Sequence, residues 1–171
     1  MRTLRAVLGL SLALGLAFAV QAAAPAPKKP IVFERMMGRW YEVARTRNDR
    51  QKDCYGAYAD WKADGPGKAK VTNHCRKGSP TGPDDVKRAT ARLVDARTAK
   101  ISMSFVFGAI TQEYWILDHA DDYSWSIMAT PGGNYVWVFS RKKTLSEAER
   151  SSLVARARAF GYPVSKMDIG K

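Results

Sequence analysis

Histidine is nearly missing from this chain: among 171 residues only His74 and His119 occur. With no serine–histidine–aspartate signature, phosphate-binding glycine loop or histidine-rich tract, neither a hydrolytic triad nor an imidazole metal centre is indicated. Cysteine is as scarce, with Cys54 and Cys75 the only two. Acidic residues are few, 16 against 28 lysines and arginines, so the formal charge is +12. A field of that sign attracts anionic lipid or polymer. Long apolar runs are also lacking. The longest, residues 6–20, has fifteen residues before Gln21, short of the roughly 20 that a spanning helix needs.

What is there begins with that run. Arg2 and Arg5 precede it and small residues around Val20-Gln21-Ala22 follow it, the charged start, apolar middle and small-residue cut of a secretory signal. Residues 1–22 are therefore read as an export signal, with an uncleaved anchor as the alternative. Residues 23–31, rich in proline and lysine, read as a flexible leader, and residues 32–171 as one domain. No cysteine stands near the cut, so no lipid attachment is expected there, and the chain is placed in the periplasm or secreted medium. In an oxidising compartment an even pair usually bridges, so Cys54 and Cys75 are expected to form a disulfide. The alternatives are a thiolate nucleophile, or a metal site shared by Cys75 and His74. Neighbours on a strand point to opposite faces and make poor joint ligands. Neither metal nor cofactor is expected.

Beyond the leader, eight short apolar or alternating runs cover residues 40–45, 55–62, 70–76, 87–94, 100–107, 113–118, 124–130 and 135–141, divided by turn residues. This predicts an all-β fold of antiparallel strands joined by hairpins. The period then changes. Thr144 with Glu147 and, overlapping it, Ser146 with Glu149 both fit a capping box, Leu153, Ala157 and Phe160 follow at helical spacing, and Gly161 with Pro163 ends the run. The last two strands are apolar on both faces, Trp125 and Ile127 against Ser126 and Met128, Val136 and Val138 against Trp137 and Phe139. Both faces need cover, and the helix supplies one. Gly38 and Trp40 open the folded part and Arg141 closes its last strand, a spacing that suggests a guanidinium resting on the indole.

Gly38-Arg39-Trp40-Tyr41-Glu42-Val43, Tyr114-Trp115-Ile116-Leu117-Asp118, Asp122-Tyr123 and Trp137-Val138-Phe139-Ser140-Arg141, in this order and followed by a helix, resemble the lipocalins. The resemblance is closest to the branch of bacterial envelope lipocalins and apolipoprotein D, and spans roughly residues 32–169. It implies an eight-stranded antiparallel up-and-down barrel, a lipocalin calyx with one C-terminal α-helix packed outside, closed at the Trp40 end and carrying a small hydrophobic ligand. Gly38, Trp40 and Arg141 then form a structural lock. The family's inward positions fall on Ala57, Ala59, Asn73, Met103, Phe105, Tyr114, Ile116, Ser126, Met128, Trp137 and Phe139, the expected ligand-binding set. One conflict follows. Setting Cys54 directly opposite Cys75 turns Gly56 and Tyr58 toward Asn73's face instead of Ala57 and Ala59, and a bulge between them would reconcile the two.

The expected function is to bind and carry a fatty acid, lysophospholipid or similar amphiphile in cell-envelope lipid handling, without catalysis. Two alternatives stand beside it: an enzyme on a lipid-like substrate in the same calyx, and a basic surface module for anionic envelope polymers. For the enzyme, the candidate groups are Glu42, Asp118, His119 and Asp121. Glu42 shares the facing of Trp40 and needs hydrogen bonds if buried, while His119 beside acidic turn residues is expected to be solvated. Partners are the amphiphile and, peripherally, an anionic membrane surface, with no nucleic acid.

Overall fold

The computed structural model describes residues 23–170, so the export signal expected over residues 1–22 lies outside it. Eight strands follow one another: β1 Gly38–Thr46, β2 Cys54–Ala63, β3 Lys68–Lys77, β4 Asp84–Asp95, β5 Lys100–Phe105, β6 Ile110–His119, β7 Trp125–Ala129 and β8 Val136–Ser140. Each is antiparallel to the next, and β1 pairs with both β2 and β8. The sheet therefore closes into the expected eight-stranded barrel, which removes its edges.

Alternating strand direction sends the connections to two ends. Residues 64–67, 96–99 and 120–124 gather at one end, the base, where residues 33–38 also lead into β1. Residues 47–53, 78–83, 106–109 and 130–135 gather at the other, the mouth. A ninth strand, β9 Met167–Ile169, joins the mouth half of β1 with Asp168 opposite Arg45. Three residues carry too little periodicity to be read as a strand beforehand.

The helix, α1 Glu147–Ala159, begins as its capping box requires: the Ser146 hydroxyl accepts from the Glu149 N–H and the Glu149 carboxylate accepts from the Ser146 N–H. Its Leu153, Val154 and Ala157 pack on Leu117, Ile127, Val136 and Val138, the outward faces of β6–β8. The inward faces build a second cluster, dense at the base with Phe33, Met36, Trp40, Trp61, Val71 and Ile101. Among the described residues no helix is long and apolar enough to cross a membrane.

The segment before β1 runs along the barrel from mouth to base. Ala24 donates to the Pro131 carbonyl at the mouth (3.0 Å) and Ile31 to the Ala96 carbonyl at the base (2.9 Å). Between them Lys29 Nζ reaches the His119 carbonyl at 2.7 Å and Asp121 at 2.5 Å. These bonds satisfy backbone groups that proline-rich sequence leaves unpaired locally.

Candidate functional site

The base is sealed by the lock that the sequence suggests. Trp40 is buried, its indole N–H donating to the Met36 carbonyl at 2.7 Å, and the Arg141 guanidinium lies 3.6 Å from the ring centroid. Arg141 also donates to the carbonyls of Arg39 and Arg35, both at 2.8 Å. Burial lowers its pKa from the usual arginine value. Gly38, at φ +94, leaves just enough room: a Cβ there would stand 3.2 Å from an Arg141 nitrogen.

Facing inside the barrel follows from the register, since residues directly opposite share a face. Ala59 opposes both Trp40 and Asn73, Ile116 opposes Met128, Trp137 opposes Met128, and Phe139 opposes Ser126. Ala59, Met103, Phe105, Tyr114, Ile116, Met128 and Phe139 all belong to the interior cluster. Ala57 sits with Cys54 and Cys75 nearer the mouth. The bulge that reconciles the facing of β2 is present between Tyr55 and Tyr58, where Gly56 takes φ +57. Cys54 consequently opposes Lys77 while its disulfide reaches diagonally to Cys75, with Cα atoms 5.5 Å apart. Tyr58 turns outward and stacks on His74 at 4.6 Å.

The lumen has unequal walls. Besides Trp61 and Val71 near the base, β2–β4 present Ala57, Ala59, Ala69, Ala89 and Ala91, whereas β5–β8 present Met103, Phe105, Tyr114, Ile116, Met128, Trp137 and Phe139. Asn73, Phe105, Tyr114, Trp137 and Phe139 remain partly exposed although they point inward. Such residues in a closed barrel can show surface only to the lumen or its mouth. Tyr114 and Trp137 meet edge to face at 5.7 Å, and burial pushes the Tyr114 phenol up, opposed by the positive charge of Arg50. The Ser126 hydroxyl is buried with no hydrogen-bond partner among the described residues.

A polar network missed by the sequence reading spans the upper lumen. Between Glu42 and Ala44 β1 bulges, which turns Arg45 inward, opposite Trp137. Arg45 is 2 % exposed and pairs with Glu42, while its other amino group reaches the carbonyls of Gln51 (3.0 Å) and Cys54 (3.2 Å) and the Asp168 carboxylate. Gln51, from the β1–β2 connection, donates to Glu42 at 2.9 Å and accepts from the Trp137 indole at 2.8 Å. Glu42 is thus a hydrogen-bonded carboxylate, the condition its burial imposes. Closer to the mouth, Lys87 and Asp85 face inward, because they alternate with Ala89 and Ala91 and oppose Asn73 and Cys75; they pair at 2.7 Å. Gln112, opposite Met103, lies on the inward face as well, its amide donating to the Glu113 carbonyl at 2.9 Å.

The candidate catalytic groups do not converge. Asp118 faces outward toward Arg156 at 3.6 Å and Asp121 pairs with Lys29 on the surface of the base. His119 is not solvated as expected: a further bulge, between Ile116 and Asp118, turns it inward, where it is 3 % exposed and stacks on Tyr123 at 4.3 Å. Its ring nitrogens lie 2.8 and 3.0 Å from the carbonyls of Ala120 and Pro30. Among the described residues no group of three or more metal-ligating side chains assembles.

Comparison with known proteins agrees with this geometry. Putative lipocalin R877 of Acanthamoeba polyphaga mimivirus is 31% identical over 139 residues, covering 78% of this chain and 80% of its own. Outer membrane lipoprotein Blc of Escherichia coli is 28% identical over 138 residues, covering 78% and 75%. Among solved structures, insecticyanin from the tobacco hornworm Manduca sexta superposes with a TM-score of 0.68 at 19% identity, over 85% of this chain and 83% of that one. The family model described as a lipocalin-like domain matches residues 31–170, the whole barrel with its helix and ninth strand, and the chain belongs to the lipocalin family.

Proposed function

We infer that this protein carries a single-chain amphiphile, such as a fatty acid or lysophospholipid, in its lumen, and serves lipid handling in the cell envelope. The observation that carries this reading is the partial exposure of Phe105, Tyr114, Trp137 and Phe139 on inward faces, opposite a wall of alanines. Large apolar side chains that face a lumen without filling it are what an acyl chain needs. Met103 and Met128 adapt to an irregular guest. Lys87, Asn73 and Gln112 stand toward the mouth, with Arg50 beside Tyr114, where they suit a carboxylate or phosphate head group.

The magnitudes agree. Burying about sixteen methylenes at roughly 0.8 kcal/mol each gives about 13 kcal/mol, from which association takes at least about 4. A micromolar or tighter complex remains. No covalent step is required, and Glu42 is already engaged by Arg45 and Gln51. Export to the periplasm or medium belongs to the same reading. It is supported by the disulfide and by relatives named outer membrane lipoproteins.

Titration with a fluorescent fatty acid at low and high salt tests it. Saturable uptake at one site per chain, nearly independent of salt, supports the lumen. Steep salt dependence without a buried fluorophore points instead to the basic exterior.

A further inference from the structure

Phe107 is the most exposed large apolar residue described, showing its whole side chain to solvent, and Val106 beside it is 62 % exposed. Both lie at the β5–β6 tip, inside a run the sequence reads as strand to residue 107, whereas β5 ends at Phe105. The tip turns through three consecutive left-handed residues, Val106 at φ +49, Phe107 at φ +55 and Gly108 at φ +95. Valine and phenylalanine resist that conformation, and no packing in water repays it. Two more of the exposed large apolar residues, Ile110 at 46 % and Tyr135 at 40 %, belong to the same end of the barrel. An apolar cluster held at a rim marks a contact surface.

The rim also carries charge of one useful sign. Arg50, Lys52 and Lys77 are exposed at the mouth with no ion-pair partner among the described residues. Asp84 and Asp85 at this end are taken by Arg76 and Lys87, leaving Asp49 and Asp53 as the opposing acids. The tip is moreover continuous with the inward face of the barrel. Ile110 opposes Phe105, and Met103 opposes Gln112 one step deeper on the same inward face. Apolar surface thus runs from Phe107 over Ile110 and Phe105 into the lumen without a break of charge.

We propose that the β5–β6 tip docks into the headgroup region of an anionic phospholipid bilayer, steadied by Arg50, Lys52 and Lys77, and that the cargo's acyl chain passes between bilayer and lumen along Ile110 and Phe105. Placing a phenylalanine in the acyl boundary recovers apolar burial that water denies it, and basic residues near an anionic surface add to the attraction. For its purpose this docking rests on the carrier reading.

The test uses the mature chain with vesicles of phosphatidylcholine alone or mixed with phosphatidylglycerol, read by flotation and by stopped-flow transfer of a fluorescent fatty acid from vesicle to protein. The wild type is expected to float with the mixed vesicles and far less with phosphatidylcholine. Val106→Ser with Phe107→Ser should weaken flotation about tenfold or more, as should Arg50→Glu with Lys52→Glu, and both pairs should slow transfer. Val32→Ser with Val94→Ser, exposed apolar positions at the base end, should change neither. Absent flotation, insensitivity to the tip pair, or equal loss from the base pair overturns the docking. Fatty-acid uptake from vesicle-free buffer separates the two readings: the tip pair should retain it, and its absence from the wild type contradicts the carrier reading while flotation still reports on docking.

Discussion

Arg141 rests on the Trp40 ring at 3.6 Å while its two amino groups each hold a carbonyl, those of Arg39 and Arg35. One side chain at the end of β8 therefore fixes the start of β1 and the turn that plugs the base. Trp40→Ala should cost about 3–5 kcal/mol through the cavity it leaves. Arg141→Ala should cost about 2 kcal/mol, with a coupling between the two near 1 kcal/mol in a double-mutant cycle. Gly38→Ala adds a Cβ at positive φ and should cost about 1–2 kcal/mol. Urea unfolding measures all of these, and an additive pair would remove the lock.

The buried Arg45 network makes a prediction of opposite character. Arg45→Met takes the cation from the buried Glu42 carboxylate and removes one ion pair from Asp168, so a loss of about 3–5 kcal/mol is expected. Arg45→Met combined with Glu42→Leu should recover more than half of that, because the uncompensated charge goes too. Unfolding midpoints of the single and double variants decide it.

The Cys54–Cys75 bridge closes a loop with a sequence separation of 21. Its removal by Cys54→Ser with Cys75→Ser should cost about 3 kcal/mol. The bridge ties β2 to β3 at the mouth, so the variant should also show faster amide exchange than the wild type at the mouth end of β2, with less change at its base end.

Acid should loosen the start of the helix. Hydrogen bonding from Lys142, and then from Ser146, holds the Glu149 carboxylate down to about 2 from an ordinary 4.5. A depressed folded value means that this stabilisation is complete above pH 4.5 and is lost as pH falls toward 2. Glu149→Gln keeps a capping-box geometry without the charge. Its melting temperature should lie below the wild type's at neutral pH, and the gap should close between pH 4.5 and 2.

The sequence made the barrel and its lock legible because both rest on patterns that survive translation into structure. Trp125 and Ile127 against Ser126 and Met128 need two covered faces, and Ser146 with Glu149 marks a helix start wherever it lies. What stayed hidden depends on single-residue shifts in pairing. Alternation from Trp40 through Glu42 points Ala44 inward, but the bulge at Val43 sends both Val43 and Ala44 outward and brings Arg45 in. The bulge beyond Ile116 does the same for His119. Lys87 was readable in principle, since it alternates with Ala89 and Ala91, yet a lysine on a strand reads as solvated until the register with Asn73 is known.

Crystals grown with a fatty acid brominated near the end of its chain locate the cargo directly. Anomalous scattering from bromine should appear inside the barrel, among Met103, Ile116, Met128 and Phe139, in every copy of the chain. Bromine found only on the outer surface, or a lumen empty at saturating ligand, would contradict the carrier account.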